Sequence, residues 1–181
     1  MAAGQISGKQ ADRVIEGASP VTAMMGLPPN CGYSSGAVMS CLSSIGGRML
    51  TILDLNAEFA KLKMLRGRTP ETPEADRVGA FARLAPYRDS AINVAKFSGE
   101  GPWERHPNGD EIVQIVDGAV TFHIMTDDGP QSHALKAGMV VIVPQGAWHR
   151  FEAPDGVSLM TATPQPTQHL TFAIDDPRTL E

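Results

Sequence analysis

The sequence predicts an all-β domain, a sandwich or small barrel, preceded by a helical arm. Apolar residues recur with a period of two in short runs rich in β-branched side chains. The runs are Ala91-Ile-Asn-Val-Ala-Lys-Phe97, Glu111-Ile-Val-Gln-Ile-Val116, Ala119-Val-Thr-Phe-His-Ile-Met125, Gly138-Met-Val-Val-Ile-Val143 and Val157-Ser-Leu-Met-Thr-Ala-Thr163. Turn chemistry separates them at Pro107-Asn-Gly-Asp110, Asp117-Gly118, Asp127-Asp-Gly-Pro130 and Pro154-Asp-Gly156. No helical pattern interrupts the series, so the strands must bury their apolar faces against one another. A barrel that small encloses one ligand at its mouth.

Residues 1–48 are expected to form a poorly ordered extension, because Pro20, Gly26, Pro28, Pro29, Gly32 and Gly36 break any periodicity. Patterned sequence starts at Leu50, directly after Met49, which makes Met49 an alternative start of translation. Residues 49–90 are expected to be a helical arm and linker. Leu55, Phe59, Leu62 and Leu65 fall at spacings of three and four, Asp54 is placed to cap the helix, and Glu58 puts negative charge near its positive end. Arg66-Gly-Arg-Thr-Pro-Glu-Thr-Pro-Glu-Ala-Asp76 reads as linker. The arm's apolar stripe is expected to cover an open edge or end of the β domain, or of a partner's. The β domain itself is expected over residues 91–175, with a tail at 176–181.

Composition excludes several function classes. The chain has 181 residues, 42% hydrophobic and 19% charged, with a formal net charge of -5. No Lys/Arg run provides a footprint for nucleic acid or an anionic membrane. No apolar stretch is long enough to span a bilayer, and no secretory signal pattern opens the chain. The two cysteines, Cys31 and Cys41, lie outside the β domain and suit neither a disulfide framework nor a thiolate zinc site. A cytoplasmic protein with a small-molecule substrate or ligand, and no nucleic-acid or membrane partner, is expected.

Four residues carry the chemistry: Glu104, His106, Glu111 and His149. Glu104 and His106 are separated by one residue and project from the same face of a strand. The Pro107–Asp110 turn then brings Glu111 in from an adjacent strand, so that one hairpin supplies three groups. His149 lies between Ala147 and Phe151 on its own face, and an imidazole among apolar neighbours is costly unless paired or ligating. Two imidazoles and two carboxylates suit a divalent ion, with Fe(II) or Mn(II) favoured by the hard oxygens and Ni(II) or Zn(II) possible. Glu104 reads equally as a ligand or as the partner of a nearby arginine. Trp103 and Trp148, next to ligands in sequence, face away from them and are expected to pack. His123 and His133 are expected to satisfy local hydrogen bonds. The expected core is Phe97, Val113, Ile115, Phe122, Ile124, Val141, Val143 and Phe151.

Two segments resemble the paired motifs of the cupin family: Gly99-Glu-Gly-Pro-Trp-Glu-Arg-His106 through Glu111 to Gly118, and Gly138 through Pro144 and Gly146 to His149. His106, Glu111 and Gly118 stand in register in the first, and Gly138, Pro144, Gly146 and His149 in the second. The resemblance implies a double-stranded β-helix, or jelly-roll, barrel over about residues 91–175 that binds a metal and associates as a homodimer. Glu104 stands where the family has its first histidine, Ser98 where it has a leading glycine, and Ala153 where it has a closing asparagine. His106, Glu111 and His149 alone make the two-histidine, one-carboxylate arrangement that leaves coordination positions open.

Two function classes follow. One is a metal-dependent enzyme, a dioxygenase or an isomerase or lyase, acting on a small oxygenated metabolite, with Glu104 or Glu111 as the catalytic group that moves protons. The other is a noncatalytic module that senses or stores a small ligand.

Overall fold

A computed structural model describes residues 50–180, together with the backbone of three short strand pieces before them. The rest of residues 1–48, with the extension expected there and with Cys31 and Cys41, lies outside the described residues. The short pieces are β1 (Val38–Met39), β2 (Ser44–Ile45) and β3 (Arg48–Met49). β1 pairs with β4 (Ile52–Leu53), and β2 pairs with β3.

The arm opens as its residues predict. α1 (Leu55–Lys61) is capped by the Asp54 carboxylate, which accepts from the Ala57 N–H at 3.1 Å, and it buries Phe59. It stops earlier than the apolar spacing predicts. Leu62 is extended, and Leu65 leaves the stripe to open β5 (Leu65–Arg68), which lies parallel to the end of β7 (Ser90–Glu100). The stretch read as linker therefore holds a strand, followed by the short helix α2 (Glu74–Arg77) and by β6 (Phe81–Tyr87), antiparallel to β7. The prolines that break local periodicity do not prevent pairing when a tertiary neighbour supplies the hydrogen bonds. The arm extends the sheet as well as covering it.

Among the described residues the remaining strands join β5, β6 and β7 in one nine-stranded sheet, curled into a jelly-roll half-barrel. They are β8 (Glu104–Arg105), β9 (Glu111–Thr126), β10 (Gly129–Lys136), β11 (Val140–Val143), β12 (His149–Pro164) and β13 (Gln168–His169). A short 3-10 turn, Pro177–Leu180, follows in the tail, where Arg178 donates to the Thr126 carbonyl at 3.0 Å. β9 and β12 are long enough to belong to both halves of the curl. The first part of β9 lies between β11 and the second part of β12; its second part lies between β10 and the first part of β12.

This corrects the reading of Asp117-Gly118 and Pro154-Asp-Gly156 as turns, since the strands continue through both. In β9 the buried positions run Glu111, Val113, Ile115 and then Val120, Phe122. That change of parity needs an irregularity in the ladder, and the register shifts between Glu152 and Val157 and again between Ser158 and Leu159. Gly118 has φ +80, and a Cβ there would lie 2.3 Å from the Gly156 carbonyl oxygen. Two glycines thus let the strands cross at a distance no side chain permits. All eight expected core residues belong to the cluster inside the curl, Ile124 and Val141 only partly buried.

Candidate metal centre

Glu104 pairs with His149 of β12 on one side and His169 of β13 on the other. Strand alternation sends Arg105 outward, where its guanidinium lies 4.6 Å from the Trp148 ring. Glu104 and the following His106 turn inward. The His106 carbonyl accepts from the Gly146 N–H at 3.0 Å, and Asp110 accepts from the Gln145 N–H at 2.8 Å. The two turns flanking the site, one before Glu111 and one before His149, are therefore tied together. The expected hairpin is corrected: β8 pairs with β12 and β13, not with β9. Glu111 meets His106 because the curled sheet closes over the turn.

One ligand-type atom from each of Glu104, His106, Glu111 and His149 lies within 4.8 Å of the others, a cluster that could hold a metal ion. His106, Glu111 and His149 are buried, and Glu104 is partly exposed. Glu111 Oε2 lies 3.2 Å from His106 Nε2 and 3.2 Å from His149 Nε2, and Glu104 Oε1 lies 3.8 Å from His149 Nε2.

The hydrogen bonds decide what those nitrogens present. His149 Nδ1 lies 3.0 Å from the Ala147 carbonyl oxygen, which can only accept, so Nδ1 carries the proton. In a neutral ring, Nε2 is then a bare lone pair aimed at a carboxylate. Such an arrangement is repulsive until a proton or a cation sits between the two. His106 repeats the theme: Nδ1 meets the Thr167 hydroxyl at 3.2 Å, while Nε2 is buried with no hydrogen-bond partner. Burial pushes the Glu111 carboxyl up, but its contacts with both histidines win and hold it down at about 2. Burial likewise pushes the His149 imidazole down, and Glu111 and Glu104 raise it above its ordinary value. A buried carboxylate beside inward-facing imidazole nitrogens is a donor set that could hold a divalent cation.

The supporting partners were not found from sequence. Thr163 donates to Glu111 Oε1 at 2.6 Å and contacts Thr161 at 2.5 Å, and Asn93 donates to Thr161 at 3.4 Å. The available signal was Thr161-Ala-Thr163, two hydroxyls on one face of an otherwise apolar strand. Arg68, read as linker, is buried with its guanidinium 4.9 Å from the Phe81 ring and 4.8 Å from that of Phe97. Burial lowers its pKa, and the charge of Glu104 works against that shift. The remaining histidines stand apart from the cluster. His123 meets Ser132 at 2.8 Å and Glu152 at 3.2 Å, while His133 and His169 are exposed. Trp103 and Trp148 pack together with Met125, away from the cluster.

A cavity of about 300 Å³ opens beside these residues, with Glu104, Thr163 and Thr167 in its wall.

Residues 93–161 match the Cupin domain family. A curated relative, the uncharacterized protein YdbB of Bacillus subtilis, is 27% identical over 67 residues, or 37% of this chain; the chain spans 57% of that relative's length. A solved cupin-2 domain-containing protein from Shewanella frigidimarina aligns at 20% identity and TM-score 0.49, over 63% of this chain and 95% of that one. A solved protein from Neisseria meningitidis aligns at 18% identity and TM-score 0.48, over 63% of this chain and 99% of that one.

Proposed function

From the premise that this chain is a cupin-domain protein, matched over residues 93–161, we propose that it is a metal-dependent enzyme acting on a small oxygenated metabolite. The reaction is a dioxygenation, or an isomerase- or lyase-type rearrangement. His106, Glu111 and His149 would hold a divalent ion, with Glu104 as the fourth ligand. Two carboxylate oxygens favour Fe(II) or Mn(II) over softer ions. When bound, the ion would supply Lewis-acid polarisation of a substrate oxygen.

The observation that carries the reading is the buried His106 Nε2 without a hydrogen-bond partner, 3.2 Å from the same Glu111 oxygen that faces His149 Nε2. Leaving such a group unsatisfied costs about 1–3 kcal/mol, which an ion in that position would recover. The two carboxylates then divide the work. Glu111 is buried, with one oxygen held by Thr163 and the other between the histidines, so its role is to bind. Glu104 also lines the cavity, where its carboxylate is placed to take a proton from a substrate or return one.

Metal analysis of the purified protein tests this. One divalent ion per chain is expected, lost in His106→Ala and in His149→Ala and kept in His123→Ala. Oxygen-uptake and isomerase screens on the metal-loaded protein then identify the reaction. A wild-type protein that takes up no divalent ion sinks the proposal. Stoichiometric ligand binding without turnover would leave the metal site and remove the enzyme.

A further inference from the structure

Of the proposed metal ligands Glu104 lines the cavity, and the lining also carries a charge that the metal site does not use, that of Arg83. Arg83 lies on β6, directly across from Asn93 of β7, which in turn lies across from Thr161 of β12. That register puts Arg83, Asn93 and Thr161 in one row on one face of the sheet, and all three line the cavity. Phe81, Ala95 and Leu159 form the next row of the sheet and add apolar wall to the same cavity. Asn93 is occupied, donating to the Ala91 carbonyl at 3.1 Å as well as to Thr161. Among the described residues Arg83 has no ion-pair or hydrogen-bond partner, whereas Arg150 pairs with Glu100 and Arg178 with Asp176.

Charge bookkeeping gives this arginine a consequence. Glu104 and Glu111 together carry two negative charges, which a divalent ion between them would cancel. The Arg83 guanidinium, itself exposed, then leaves the cavity with one positive charge unopposed at its rim. Two strands, β7 and β12, separate β6 from β9, so with strands about 4.8 Å apart the arginine and Glu111 stand ~14 Å apart along the sheet, and less across its curl. The long side chain of Arg83 shortens that gap further. What remains is the length of a small molecule with an anionic group at one end and an oxygen at the other.

We propose that the ligand of this cavity is a small monocarboxylate with a hydrocarbon body, its carboxylate held by Arg83 and its far oxygen directed to the Glu104–His149 side. This rests on the metal-site reading above and deepens it. A planar guanidinium binds a carboxylate through two parallel hydrogen bonds, while Phe81 and Leu159 suit an apolar middle.

Calorimetric titration of the metal-loaded protein tests it, with meta-hydroxybenzoate as probe and meta-hydroxybenzamide as its neutral counterpart. Metal content is measured on every sample. The acid is expected to bind at least about tenfold more tightly than the amide in the wild type. Arg83→Gln should abolish that preference without changing metal content, and Arg83→Lys should restore part of it. Equal binding of acid and amide, binding of neither, or an unchanged preference in Arg83→Gln overturns the assignment while leaving a metallated protein's metal site standing. Inorganic phosphate that displaces the acid at lower concentration than benzoate does would overturn the carboxylate in favour of a phosphorylated ligand. A wild-type protein with no bound metal fails the functional reading, and the charge argument falls with it.

Discussion

Proton and metal compete for the same lone pair of His149, and the competition has a sign that can be measured. In the metal-free protein the Glu111 carboxyl is held at about 2, against an ordinary value of 4.5, and His149 is raised above 6.5. Glu111 therefore contributes stability that is fully present above its ordinary value and lost as pH falls through about 2. His149 contributes stability that is fully present below 6.5 and lost as pH rises through its raised value. The metal-free protein should be most stable between 4.5 and 6.5, with both groups charged. Metal binding must displace the His149 proton in that window. Below the His149 value, apparent affinity then rises about tenfold, or ~1.4 kcal/mol, for each unit by which pH is raised. At about 2–4 °C per kcal/mol for a chain of this size, the melting increment produced by saturating Mn(II) should grow by roughly 3–6 °C per pH unit. Scanning calorimetry at about pH 5.5 and about pH 6.5, with Mn(II) or with chelator, reads both trends. A metal increment independent of pH, or a metal-free midpoint that climbs steadily above pH 6.5, would refute the assignment of a shared proton between His149 and Glu111.

Three further perturbations probe the scaffold. Gly118→Ala places a Cβ 2.3 Å from the Gly156 carbonyl at a φ of +80; unfolding in urea should show a loss of about 3 kcal/mol or more, and a loss below ~1 kcal/mol would mean that the strand crossing is loose. Thr163→Val removes the donor to Glu111 Oε1 and leaves that buried oxygen unsatisfied, so stability should fall by about 1–3 kcal/mol and metal affinity by about tenfold or more. Asp54→Ala removes the α1 cap, which should cost about 1 kcal/mol in the same urea assay while leaving metal content unchanged.

Periodicity of two, turn residues and the alternation rule were enough to read a small β barrel with Phe97, Ile115 and Phe151 inside. The same rules put Glu104 and His106 on one face, turned Trp103 and Trp148 away, and placed the helix cap at Asp54. These are local properties: a side chain's face follows from its position along its own strand or helix. What local pattern does not contain is which strand lies beside which. β5 and β6 look like linker because Gly67, Pro70 and Pro86 interrupt any pattern, yet they pair with β7 once it is there to supply hydrogen bonds. Asp117-Gly118 carries the chemistry of a turn, and only the neighbouring Gly156 makes it a crossing.

The candidate site divides along the same line. Residue types and spacing marked Glu104, His106, Glu111 and His149 as candidates, while other imidazoles and carboxylates of the same barrel, such as His123 and Glu152, serve only local contacts. Their convergence within 4.8 Å and the hydroxyls of Thr163 and Thr167 behind the cluster depend on contacts between residues 38, 52 and 61 positions apart, whereas the proton on His149 Nδ1 is fixed locally by the Ala147 carbonyl. A lone pair has a direction as well as a chemistry. The direction is set by the curl of the sheet, which is why residue types could point toward a divalent ion while only the fold gives the geometry of the cluster that could hold one.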